Sequence, residues 1–126
     1  MKKILSCAAA VIALMAAASA DAATAPDVRP GMLYPTARAN LIRAGVMPEN
    51  VGRHHSSCPT EEEADCDAYP ELITCSGGNL VRCSFLFSAG DRYIVVTTQG
   101  ELLERAKVIH FQAATRADLA AVERIR

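Results

Sequence analysis

The chain has 126 residues, 13 Lys+Arg against 14 Asp+Glu for a formal net charge of −1, and no tryptophan. That length supplies one domain with a modest core, too shallow to hide a large cofactor. The charge balance shows no basic patch or stripe of the kind nucleic-acid binding requires, and an aromatic content of 5% leaves the core to aliphatic side chains.

The N-terminus reads as an export leader. Lys2 and Lys3 form a positive n-region, residues 4–18 an apolar alanine-rich run, and Ala18-Ser19-Ala20 the small residues that signal peptidase needs, so cleavage is expected before Asp21. An apolar run of fifteen residues is shorter than the roughly 20 that span a bilayer, and no basic stop-transfer flank follows it. Cys7 precedes the end of the apolar run and is expected to leave with residues 1–20. The remaining chain holds 11 basic and 14 acidic residues, a charge of −3, and no transmembrane span. A periplasmic or secreted location follows.

Residues 21–32 are rich in Ala and Pro without periodicity and read as a flexible N-terminal arm; residues 33–126 read as one α+β domain. Tyr34-Pro35-Thr36 opens a helix, with Pro35 near the first helical position, where its missing N–H costs nothing. Ala37, Leu41 and Ala44 or Ile42 make its apolar stripe, Gly45 suits the C′ position, and Pro48 blocks continuation. Residues 48–68 hold no periodic element. A structureless loop of that length is unusual unless tied down or functional.

The second half reads as a four-stranded antiparallel meander. Residues 71–75 form a short strand. In residues 81–87, Val81, Cys83, Phe85 and Phe87 share one face while Arg82, Ser84 and Leu86 take the other. Ala89-Gly90-Asp91 makes a hairpin turn, and residues 92–98, rich in β-branched side chains, form the clearest strand. Gln99-Gly100-Glu101 breaks it. Residues 106–111 form the fourth strand, with Val108 and His110 alternating against Ile109 and Phe111. Thr115-Arg116-Ala117-Asp118 is a capping box with Asp in place of Glu, opening a short C-terminal helix. The helix over residues 37–44 should cover the apolar face of the sheet.

Cys58, Cys66, Cys75 and Cys83 remain after cleavage, and an even number of cysteines in a short exported chain reads as a disulfide framework. Four cysteines allow three pairings; local spacing favours Cys58–Cys66 and Cys75–Cys83, the second across the base of a hairpin. On the chain-entropy model each nine-residue loop contributes about 2.5 kcal/mol. Cys75 and Cys83, with seven residues between them, have neither the tight spacing nor the helix N-terminus of a redox dithiol.

Other chemistry is thin. His54 and His55 with Cys58 and Cys66 have zinc-ligand types, yet adjacent histidines seldom converge on one ion and exported thiols oxidise first. His110 sits in a strand with no nominated nucleophile. Ser56 and Ser57 lack the strand-turn-helix setting of a nucleophile elbow, and Gly77-Gly78 precedes a strand, so it is turn chemistry rather than a phosphate loop. No catalytic constellation, cofactor or metal is called for. Arg53, His54, His55, Glu61, Glu62 and Glu63 are the candidate interaction residues, carried on the long loop, with the exposed sheet face as the alternative contact surface.

The motifs Ala37-Arg38-x-x-Leu41-Ile42-x-Ala44-Gly45, Tyr69-Pro70-Glu71-Leu72, Cys75-Ser76-Gly77 and Cys83-x-Phe85 together resemble a group of small exported bacterial proteins of uncharacterised function. The likeness runs from about Leu33 to Phe111. In that group the helix ends Ala-Gly-Trp and the turn reads Cys-Ser-Gly-Thr-Gly; here Val46 takes the tryptophan position and Gly78-Asn79 replaces Thr-Gly. At the level of layout, a helix followed by a four-stranded meander is also similar to half of the β-lactamase-inhibitor proteins and to small outer-membrane assembly lipoproteins, which implies a binding module.

The expectation is therefore an exported, disulfide-stabilised binding or accessory module of the bacterial envelope, monomeric and not an enzyme, whose partner is another envelope or secreted protein. The alternatives are a small metal-dependent periplasmic enzyme and a purely structural envelope or stress protein.

Overall fold

Residues 26–53 and 57–126 are described by a computed structural model. Their elements run α1 (Tyr34–Arg43), β1 (Met47–Pro48), α2 (Glu63–Ala68), β2 (Leu72–Ser76), β3 (Arg82–Ala89), β4 (Arg92–Gln99), β5 (Lys107–Ala113) and α3 (Arg116–Ile125). The α+β class and both disulfides, Cys58–Cys66 and Cys75–Cys83, are present. The sheet has five antiparallel strands rather than four, because two-residue β1 pairs with β3 through Met47↔Ser88 and Pro48↔Phe87. β1 and β2 share one side of β3, β4 takes the other, and β5 lies outside β4. Two elements, β1 and α2, thus lie in or beside the stretch expected to be irregular. Both are too short for a period to show.

The strand alternation holds in β3. Cys83, Phe85 and Phe87 join Leu72, Val96, Val108 and Leu103 in a core with Tyr34, Ala37 and Leu41 of α1. Leu86 points the other way and is buried with Ile73, Val95, Val51 and Val122 of α3. The fold is three layers, α1 on one face of the sheet and α3 on part of the other, instead of one covered face. Burying a large apolar side chain contributes roughly 1.5–3 kcal/mol, so consecutive Val95 and Val96, inside on opposite faces, both stabilise the sheet.

Local signals explain the ends. After α1, the Gly45 N–H donates to the Ile42 carbonyl and the Val46 N–H to the Leu41 carbonyl, with Gly45 at φ +82°. This is a Schellman motif, and the accompanying contact buries Val46 in the core that holds Leu41. α3 starts with the reciprocal capping box: Asp118 N–H donates to Thr115 Oγ1 at 3.2 Å and Thr115 N–H to Asp118 Oδ2 at 2.8 Å. β3 and β4 are joined through Gly90-Asp91, with Gly90 at φ +64°, as a two-residue hairpin needs.

One expected alternation fails. Val108 pairs with Thr98 but His110 pairs with Thr97, so Ile109 is an extra residue in the ladder. This bulge returns Val108 and Phe111 to the α1 face and puts His110 on the opposite face, exposed and hydrogen-bonded to Gln112 Oε1 at 2.9 Å. Nothing in the alternation of residues 106–111 announces it. Within the N-terminal arm, Gly31 N–H donates to the Val108 carbonyl and Val108 N–H to the Met32 carbonyl, each at 2.8 Å, which closes the first half of the β5 edge.

Candidate functional site

Two regions concentrate chemistry. The first is internal. Glu71 is fully buried; its Oε1 accepts from the Tyr34 hydroxyl at 2.7 Å and from Arg38 Nε at 2.5 Å. The Arg38 guanidinium also lies 5.6 Å from the Tyr69 ring centroid, and Tyr34 stacks on Phe85 at 3.9 Å. Burial, then the adjacent Glu71 charge and the hydrogen bond to it, push the Tyr34 phenol well above its ordinary range, so it stays a neutral donor. Tyr34 and Glu71 are both inaccessible, so no substrate can reach them. The cluster is a polar joint between α1 and the sheet.

The second region is a surface groove of about 520 Å³. One wall is the segment closed by Cys58–Cys66, whose Cα atoms are 5.9 Å apart. The Thr60 hydroxyl donates to the Glu62 carbonyl at 2.9 Å and turns the chain into α2, bringing Pro59, Thr60, Glu61, Glu62 and Asp65 onto the groove. Acidic Glu63 and Asp65 in the first turn suit the positive end of a helix. The opposite wall is the turn end of the β2–β3 hairpin: Cys75, Ser76, Gly77 and Val81. There Cys75 and Cys83 are directly opposed in the ladder and bonded, with Cα atoms 4.0 Å apart.

The end of the groove is the turn after β4. Gly100 N–H donates to the Val81 carbonyl at 2.9 Å, Leu103 is buried in the α1-side core, and its neighbour Leu102 is left 54% exposed over the groove beside Glu101. A smaller hollow of about 240 Å³, lined by Gly100, Glu101, Leu102 and Arg105, adjoins it. Both disulfides therefore hold groove walls. The lining combines the apolar surface of Pro59, Val81 and Leu102 with the carboxylates Glu61, Glu62, Asp65 and Glu101.

The expected interaction residues divide. Glu61 and Glu62 line the groove, while Glu63 lies in α2 outside its lining. Arg53 follows Val51, which is buried beneath α3; its three guanidinium nitrogens are buried without a hydrogen-bond partner among the described residues, and that desolvation lowers its pKa. His54 and His55 lie outside the described residues. His110 is on β5, away from the groove lining. Among the described residues no three His, Cys, Asp or Glu side chains converge as a metal site, and no helix is long and apolar enough to cross a membrane.

Sequence reasoning missed Asp65, Glu101 and Leu102 as one surface. The available signal was Leu102-Leu103 inside a polar turn, where only one of two adjacent leucines can face the core. Two disulfides in a small domain are compatible with an extracellular or periplasmic protein. No family model, no curated protein and no solved structure matches this chain.

Proposed function

We propose that the protein is an exported, disulfide-stabilised binding module of the cell envelope, and that it docks its partner in the groove between the Cys58–Cys66 segment and the β2–β3 hairpin. The observation that carries this reading is the coincidence of the two staples with the two walls of that groove. A loop that must bind without collapsing needs its ordering entropy removed beforehand, and a covalent closure does that. The leader-like N-terminus and the resemblance to small exported bacterial proteins support the same reading.

A photo-crosslinking residue placed at Leu102, over the groove, or at Tyr93, at the other end of β4, tests it in the exported protein. A discrete adduct at position 102, absent at 93 and competed by excess unmodified protein, is expected. Adducts of equal yield at both positions, or at neither, would overturn the reading.

A further inference from the structure

The groove has a definite chemical character. Val81, Pro59 and the exposed Leu102 give it apolar surface, and Glu61, Glu62, Asp65 and Glu101 stand around it. None of these four carboxylates forms a side-chain ion pair among the described residues, whereas Arg29, Arg38 and Arg126 each meet an acid elsewhere. No lysine or arginine stands in the groove lining itself, and Arg105 lines the adjoining hollow. An apolar patch rimmed by a single sign of charge selects against anionic and neutral partners and for a cation carried beside an aliphatic side chain.

We infer that the occupant is a short polypeptide segment of another protein in which lysine or arginine alternates with aliphatic residues, its cations on the Glu61, Glu62, Asp65 and Glu101 rim and its aliphatic side chain against Leu102 and Val81. This rests on the groove being the docking site. A free polyamine would satisfy the rim but leave Leu102 in water. An anionic lipid surface would be repelled. The two rigid walls, one on each disulfide, favour an extended segment entering between them.

The test is a fluorescence titration of the oxidised protein with a labelled peptide of alternating lysine and leucine, alongside peptides with glutamate for lysine and serine for leucine, and with spermidine as competitor. Saturable binding of the lysine–leucine peptide is expected. It should be at least about tenfold weaker with either substituted peptide, and about tenfold weaker in the combined Glu61→Gln, Glu62→Gln, Glu101→Gln protein and in Leu102→Ser. Those side chains are exposed, so the fold should persist. Amide shift mapping on the unsubstituted protein gives a readout free of variants, with changes expected in residues 59–65, 75–77 and 100–105.

Equal binding of the serine peptide, full displacement by spermidine, unchanged affinity in both variants, or shifts confined to other residues would each overturn the inference. A crosslink at Leu102 without lysine–leucine binding keeps the docking site and overturns the cationic partner. Loss of both removes the groove from the account.

Discussion

The buried Glu71 carboxylate accepts a 2.7 Å hydrogen bond from the Tyr34 hydroxyl, joining the start of α1 to the residue before β2. Tyr34→Phe removes that donor and leaves the carboxylate with Arg38 alone, at a cost of about 2 kcal/mol at neutral pH. Because burial holds the Tyr34 phenol above its unfolded value, the folded state keeps a proton that the unfolded chain gives up. Its stabilising contribution is complete below about pH 10 and is lost as pH rises beyond, at about 1.4 kcal/mol per unit. Tyr69 is shifted the same way, by burial and then by the Glu104 charge. Chemical denaturation at several alkaline pH values should show this slope, and Tyr34→Phe should reduce it to the share that Tyr69 carries.

The two disulfides should differ in weight. Both close loops of the same length, which the entropy model values at about 2.5 kcal/mol. Cys83, however, is 1% exposed in the core with Tyr34 and Phe85, whereas Cys58 and Cys66 are both partly exposed. The Cys75→Ala/Cys83→Ala protein should unfold at a lower temperature than Cys58→Ala/Cys66→Ala. Calorimetry gives the comparison, and the reverse order would contradict it.

Thr98 is fully buried opposite Cys83, and its hydroxyl has no hydrogen-bond partner among the described residues. Replacing an unsatisfied buried hydroxyl with a methyl group removes its desolvation cost, so Thr98→Val should stabilise by about 1 kcal/mol. A raised urea midpoint at unchanged slope is the expected result.

Gly100 and Gly77 both border the groove region but should respond unequally to alanine. At Gly100, φ is +145° and a Cβ would lie 3.0 Å from the Ala106 Cα; the substitution should cost about 2 kcal/mol and shift Leu102. Nothing lies within 4 Å of a Cβ at Gly77, whose φ is not positive, so that variant should keep its stability within about 0.5 kcal/mol. Urea unfolding of both proteins checks the pair.

Much of the fold could be read from the sequence because its signals are local. Gly45, Thr115 with Asp118, and Gly90 mark ends and turns by backbone chemistry that operates within a few residues. The period-two pattern of residues 81–87 named both faces of β3. What stayed hidden was set by long-range pairing. The Ile109 bulge depends on how β5 meets β4. β1 exists through its pairing with β3, not through its own two residues. Glu71 reads as an ordinary surface carboxylate until α1 brings Tyr34 and Arg38 to it. The groove is legible only in pieces: the acidic run and cysteines signal one wall, but Glu101 and Leu102 reach it through the β3–β4 hairpin register.

The most direct measurement is the affinity of the lysine–leucine peptide for a Cys58→Ser/Cys66→Ser protein whose folding is followed in parallel. Cys58 belongs to neither hydrophobic cluster and Cys66 only packs, partly buried, against the edge of one, so cooperative unfolding should survive at reduced stability while the wall carrying Glu61, Glu62 and Asp65 loses its closure. We expect a folded protein that binds at least about tenfold more weakly. Full affinity in that folded protein would contradict the claim that stapled walls make the site.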